Sequence, residues 1–308
     1  MNKKILYIAF GVMAIVALGF GVSDSLSVAR AAKFVRTGEY ERAIAIYSRA
    51  IDRGYKIPEH YFNRATTYIY MKEYDKAIAD LDAAIDFYPH MGIAYLNRGA
   101  AYSDMKIYDK ALEDYTKSIE LNPKNPLGYH NRARLLVRLE RPQEALEDYD
   151  KSIELDPKNT ESYLYRAMLY NDEGRVNEAL EDYNAAIGCS PDDSRLYAMR
   201  GGVYFNSAKY ELSLADFNKA IELNPTYGYI YATRGATHSL LRNYKGAIED
   251  YTKVIEMGVK DINVYGVRAK AYADLLGQTT DPKDIARYRE LIRRDSIKSC
   301  EYELKNNN

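Results

Sequence analysis

The chain of 308 residues has no Trp, only two Cys and four His, and a formal charge that nearly cancels at −1. Each shortage removes a class of explanation. Cys189 and Cys300 alone supply neither a disulfide framework nor a zinc site. The four His (His60, His90, His130, His238) are scattered, with no HExxH pair, so neither a metal nor another cofactor is expected. With 43 Lys and Arg against 44 Asp and Glu, the chain lacks the basic surface that nucleic acid demands. It also lacks strand patterns and a Gly-rich phosphate loop, and its acids sit on solvated helix faces. The reading is therefore a non-enzymatic protein with no small-molecule substrate.

Two features are abundant instead. One is tyrosine, 31 residues against 7 Phe, a side chain suited to half-buried helix seams because its ring packs while its hydroxyl stays hydrogen-bonded. The other is a single uncharged run, ILYIAFGVMAIVALGFGV, at residues 5–22 after MNKK. As a helix it would span about 27 Å, close to a bilayer's hydrocarbon core. That length reads as an uncleaved signal-anchor or transmembrane helix over residues 1–23. A cleaved signal peptide cut near Gly21-Val22-Ser23 is the competing reading. Lys3 and Lys4 favour a cytosolic N-terminus, which places the body outside the cytoplasmic membrane, tethered or, if cleaved, secreted.

The rest of the chain repeats itself. YLNRGAAYSDMKIYDKALEDYTKSIELNP at 95–123 returns as YHNRARLLVRLERPQEALEDYDKSIELDP at 129–157. Tyr-x-x-Arg pairs recur at Tyr61/Arg64, Tyr95/Arg98, Tyr129/Arg132, Tyr163/Arg166, Tyr197/Arg200, Tyr231/Arg234 and Tyr265/Arg268, always 34 residues apart. A fixed period of this size signals a stacked-repeat architecture. Inside each unit the apolar spacing is helical in both halves, a short polar turn separates them, and a Pro closes the unit. Each unit is thus a pair of antiparallel helices too thin to bury its own apolar face, and stacking on neighbours buries it.

Tyr129, Ala133, Leu136, Ala145, Tyr149, Ser152 and Pro157 fill the slots of the tetratricopeptide repeat, a family that the chain resembles over about four-fifths of its length. The resemblance implies an all-α, right-handed superhelical solenoid. Seven full units and a partial eighth begin at 24, 58, 92, 126, 160, 194, 228 and 262. They occupy residues 24–276, and a loop with a C-terminal capping helix follows at 277–308. The resemblance also implies a scaffold that binds a protein or peptide, with a homo-oligomeric envelope assembly factor or a regulatory subunit as alternatives.

A further regularity lies in the residues themselves. Each Arg is followed sixteen residues later by Asp: Arg64/Asp80, Arg98/Asp114, Arg132/Asp148, Arg166/Asp182, Arg200/Asp216 and Arg234/Asp250. One member on each helix near the packed seam predicts structural, charge-assisted ion pairs.

First helices line the concave face in that family. The resemblance therefore places partner contacts at Phe62 and Asn63, Leu96 and Asn97, His130 and Asn131, Leu164 and Tyr165, and Met199. Arg134 and Arg138 lie near the middle, with Asp104 and Asp172 to either side. The amides of Asn63, Asn97 and Asn131 suit an extended peptide's backbone, or else satisfy local helix groups. The carboxylate clamp of the family's chaperone-tail receptors is absent, because Val28 or Phe62 and Ile93 or Leu127 occupy its Lys positions.

Overall fold

The computed structural model describes residues 22–54, 57–259 and 263–306. Residues 5–21 of the apolar run lie outside them, and with them the expected membrane helix. Among the described residues, no helix is long and apolar enough to cross a membrane. All regular structure in the described residues is helical, and sequential helices pack as antiparallel pairs.

The first compact unit runs through Ser162. It contains α1 (Val22–Thr37) with α2 (Tyr40–Asp52), α3 (Pro58–Tyr70) with α4 (Tyr74–Phe87), α5 (Gly92–Asp104) with α6 (Tyr108–Leu121), and α7 (Pro126–Arg138) with α8 (Pro142–Leu155). The second unit starts at Tyr163, inside α9 (Thr160–Asp172), and continues with α10 (Val176–Cys189). Then come α11 (Ser194–Asn206) with α12 (Tyr210–Leu223), α13 (Gly228–Leu240) with α14 (Tyr244–Glu256), and α15 (Val264–Leu276) with α16 (Pro282–Asn306).

Two local devices impose the period. The turn inside each of the first seven pairs places one residue in the left-handed region: Gly38, Lys72, Lys106, Glu140, Gly174, Ala208 and Arg242, with φ between 55° and 81°. The next residue then donates back across the helix end, as in Glu73 N–H to Tyr68 O at 2.9 Å and Ile107 N–H to Tyr102 O at 2.8 Å. This αL closure satisfies carbonyls that the helix leaves open. The second helices stop differently. Tyr88, Asn122, Asp156, Ser190 and Asn224 all leave the helical region, with φ from −139° to −146°. Each precedes a Pro, whose ring clashes with a helical residue before it.

Small residues and rings build the seams. Tyr47, Tyr115, Tyr149, Tyr183, Phe217 and Tyr251 of the second helices are buried, none more than 4% exposed. Burying each ring contributes about 2–3 kcal/mol. Gly99 shows how closely the paired helices approach, since a Cβ there would stand 2.9 Å from the Tyr115 ring.

Candidate functional site

Arg64, Arg98, Arg132, Arg200 and Arg234 each grip two helices. Through Nε and Nη2, Arg64, Arg98, Arg132, Arg166, Arg200 and Arg234 hold both carboxylate oxygens of Asp80, Asp114, Asp148, Asp182, Asp216 and Asp250 at 2.6–2.9 Å. These are bidentate forks on buried aspartates. The remaining nitrogen, Nη1, reaches the preceding pair's second helix, sixteen residues back. It meets Ser48 from Arg64 (2.8 Å), Asp82 from Arg98 (2.6 Å), Thr116 from Arg132 (3.3 Å) and Asn218 from Arg234 (2.7 Å). The Tyr three residues earlier lends its ring face to the same cation, 5.3 Å away for Tyr95 and Arg98.

Hydrogen bonding to the aspartate holds Arg64, Arg98, Arg132 and Arg200 above the ordinary guanidinium value. Burial pushes the Asp114 carboxyl up against the pull of Arg98. The geometry of two short N–H donors on one carboxylate keeps that pair charged near neutral pH. An acidic ligand would find these arginines already occupied.

The arginine of the eighth unit departs from the period. Sixteen residues beyond Arg268 stands Asp284, yet Arg268 donates to Asp295 instead, at 2.7 and 2.8 Å, with Asp295 fully buried. The longer loop after α15 and the 25-residue α16 carry the register along by eleven residues. That is close to three helical turns, so Asp295 faces the same way as Asp284. Helical spacing forward from Asp284 was the available signal for this residue.

The face of the first helices differs from the one laid out from the sequence. Phe62, Leu96, His130 and Leu164 do not line an open surface. They are 4%, 0%, 1% and 4% exposed, packed in the seams. The position after the Tyr points toward the adjacent pair, so stacking covers it. His130 accordingly sits in a closed polar pocket, its Nδ1 2.9 Å from Ser162 Oγ and its ring edge-on to Tyr149. Burial pushes it down to about 3.

The asparagines separate into three situations. Asn63 is half-buried. Asn97 is 1% exposed and donates to Thr66 Oγ1 at 3.2 Å, which makes it a structural residue. Asn131 lines a small cavity between α5 and α7, with Ser103, Asp104, Arg134 and Arg138 around it and Tyr115 at the floor. In the second unit Tyr165 is half-buried, and Met199 is 43% exposed. On the same unit Tyr229, Leu240 and Val267 also expose large apolar area, which the repeat pattern did not single out.

Among the described residues, no cluster of three or more His, Cys, Asp or Glu side chains is placed to hold a metal ion, and Cys189 and Cys300 are exposed and form no disulfide.

Models described as tetratricopeptide repeat match residues 59–90, 92–125, 130–194 and 194–227. No curated protein matches the chain. Solved structures do. A tetratricopeptide repeat protein from Parabacteroides merdae is 22% identical, with a TM-score of 0.58 over 82% of this chain and 99% of that one. The C-terminal part of a repeat-containing protein from Cytophaga hutchinsonii is 18% identical, with a TM-score of 0.59 over 73% of this chain and 98% of that one. PilW, described as a widely conserved type IV pilus biogenesis factor, is 19% identical, with a TM-score of 0.58 over 64% of this chain and 91% of that one. At these identities the likeness speaks for the fold. Recurring helix pairs, the 34-residue spacing and the matching family models lead to one conclusion: this chain belongs to the tetratricopeptide repeat family, whose repeats indicate a protein–protein interaction scaffold.

Proposed function

We propose that the chain binds a peptide or helical segment of a partner protein on the face formed by its first helices, and that the apolar run at 5–22 holds that face near a membrane. The observation that carries the binding reading is the contrast within the first unit. Its repeat arginines are committed to buried aspartates, whereas Asn131, Arg134 and Arg138 border a solvent-reachable cavity on the first-helix face. A polar recess on a rigid helix face suits recognition, because the scaffold is ordered before the partner arrives and loses little entropy on binding.

The binding reading is tested by site-specific photo-cross-linking in cells. A benzophenone amino acid replacing exposed Arg138 on α7 is expected to give a discrete adduct, and one replacing exposed Glu147 on α8 is not. Identical patterns from both positions refute the first-helix face. The tether is tested separately, by alkaline extraction of membranes and by adding a membrane-impermeant protease to permeabilised cells. Release of the chain by alkali refutes it.

A further inference from the structure

Antiparallel pairing gathers the starts and ends of helices at two edges. In the first unit α1, α3, α5 and α7 begin at one edge, and α2, α4 and α6 end there. The chain enters α1 from the apolar run at that same edge. In the 34-residue register Asp24 is the counterpart of Pro58, Gly92 and Pro126, the first residues of α3, α5 and α7. The run ends at Val22, two residues earlier, which is about 3 Å along a helix axis. Read as a membrane helix, the run spans about 27 Å against a hydrocarbon core of about 30 Å, so no length is left over to hold the array off the bilayer. The headgroup layer on each side is roughly 5–7 Å deep. Loops at the starting edge therefore fall at its level.

Those loops are not alike. Asn122-Pro123-Lys124-Asn125 after α6 and Asp156-Pro157-Lys158-Asn159 after α8 are polar, with both Lys exposed. The loop after α4 carries Phe87, Tyr88, Pro89 and His90, all exposed, with Phe87 at 39% and Tyr88 at 52%. The Phe87 ring leans on Tyr61 with centroids 5.5 Å apart, and the Tyr88 and His90 rings meet edge-on at 6.3 Å. The backbone fixes the loop. Tyr88 N–H donates to Ala84 O and Met91 N–H to Tyr88 O, each at 3.0 Å, while buried Met91 packs into the core below. Charges nearby in the sequence cancel, Asp52 and Asp86 against Arg53 and Lys56, so attraction to anionic headgroups is not what this edge offers. It offers rings at headgroup depth, where an apolar body with a polar tip is favoured.

We propose that this edge of the first unit rests on the membrane surface, with Phe87 and Tyr88 seated among the lipid headgroups. The contact rests on the tether reading above and adds an orientation to it: α1 to α4 stand with their loop edge against the bilayer, and the first-helix face rises from it. Rotation between successive repeats turns the later loops away from the surface, in keeping with the Asn-Pro-Lys and Asp-Pro-Lys sequences after α6 and α8.

The chain has no Trp, so a single introduced Trp reports only its own surroundings. Full-length Tyr88→Trp and, one period on, Asn122→Trp are reconstituted into phosphatidylcholine vesicles containing lipid brominated near the headgroup. Quenching of Tyr88→Trp should exceed that of Asn122→Trp by about threefold or more, and added phosphatidylglycerol should leave it unchanged because the edge carries no net charge. Phe87→Trp is a second reporter, and circular dichroism melts matching the parent show that each variant is folded. If the chains float with the vesicles but neither Phe87→Trp nor Tyr88→Trp is quenched, the edge contact is overturned and the tether stands. A blue-shifted but unquenched Tyr88→Trp also overturns it, since protein rather than lipid then covers the loop. Equal quenching of Tyr88→Trp and Asn122→Trp overturns the orientation. Chains that fail to float with the vesicles overturn the tether and the contact together.

Discussion

Removing the Asp148 carboxylate is the most direct perturbation of the arginine forks. In Asp148→Ala the Arg132 guanidinium loses both short hydrogen bonds, at 2.8 Å each, and keeps only a 3.3 Å contact to Thr116. Breaking a buried pair by deleting one partner costs about 3–5 kcal/mol, because the other charge remains desolvated. The Arg132 side chain is 23% exposed, so water recovers part of that loss. The expected cost is therefore about 2–3 kcal/mol, just below that range. For a cooperative unit of 150–250 residues this lowers Tm by roughly 4–12 °C. The neighbour Glu147 is exposed, and Glu147→Ala should stay within about 0.5 kcal/mol of the parent. Circular dichroism melts of both variants decide the matter. Hydrogen exchange should localise the loosening to α7 and α8, since repeat arrays open by neighbouring units. A third variant, Arg132→Met with Asp148→Leu, removes both charges and should recover much of the loss. Equal melting temperatures for Asp148→Ala and Glu147→Ala would refute the reasoning.

Three other expectations follow from the same geometry. His130 is held neutral by burial, with its folded value pushed from about 6.5 to about 3; the unfolded chain takes up a proton first as pH falls, so stability is lost between those values at about 1.4 kcal/mol per pH unit. Between pH 7 and pH 5 the unfolding free energy from urea titration should fall by about 2 kcal/mol more for the parent than for His130→Gln, and equal losses would refute this. Gly174 has φ of 76°, where a Cβ is strained, so Gly174→Ala should cost about 1 kcal/mol and Ala208→Gly at the equivalent turn should cost nothing or stabilise; chemical denaturation checks both. Asp295→Asn should destabilise the α15–α16 pair and Asp284→Asn should not, with α16 amide exchange as the readout, because Arg268 holds Asp295.

The periodic chemistry of this chain was legible because each repeat sees nearly the same neighbours. Sixteen-residue Arg–Asp spacing, Pro at the unit ends and Tyr on the second helices all carry the constraint of one recurring packing problem. Positions that face the next pair rather than solvent were not separable by pattern. Asn97 and Met199 hold the same place in their repeats, three periods apart, yet one is 1% and the other 43% exposed. That difference depends on how closely the adjacent pair approaches, which no local period encodes. The Asn131 cavity was hidden for a related reason. Its signal is a departure from the repeat, Ala100 against Thr66, and an alignment by similarity suppresses departures. The Arg268–Asp295 pair escaped for the opposite reason, since the loop at 277–281 breaks the register while the helix face survives.

The two-sided grip of each arginine sets a rule for how such a gene can change length. Arg98 is bonded to Asp82 sixteen residues before it and to Asp114 sixteen after. A single-residue insertion within either interval turns part of a helix by about 100° and detaches one side of the fork. A duplication or loss of 34 codons, by contrast, returns every arginine to an equivalent pair of acceptors. Variation among close relatives should therefore come in whole repeats, with shorter insertions confined to the stretch between α15 and α16, where the last arginine has already exchanged one aspartate for another three turns away.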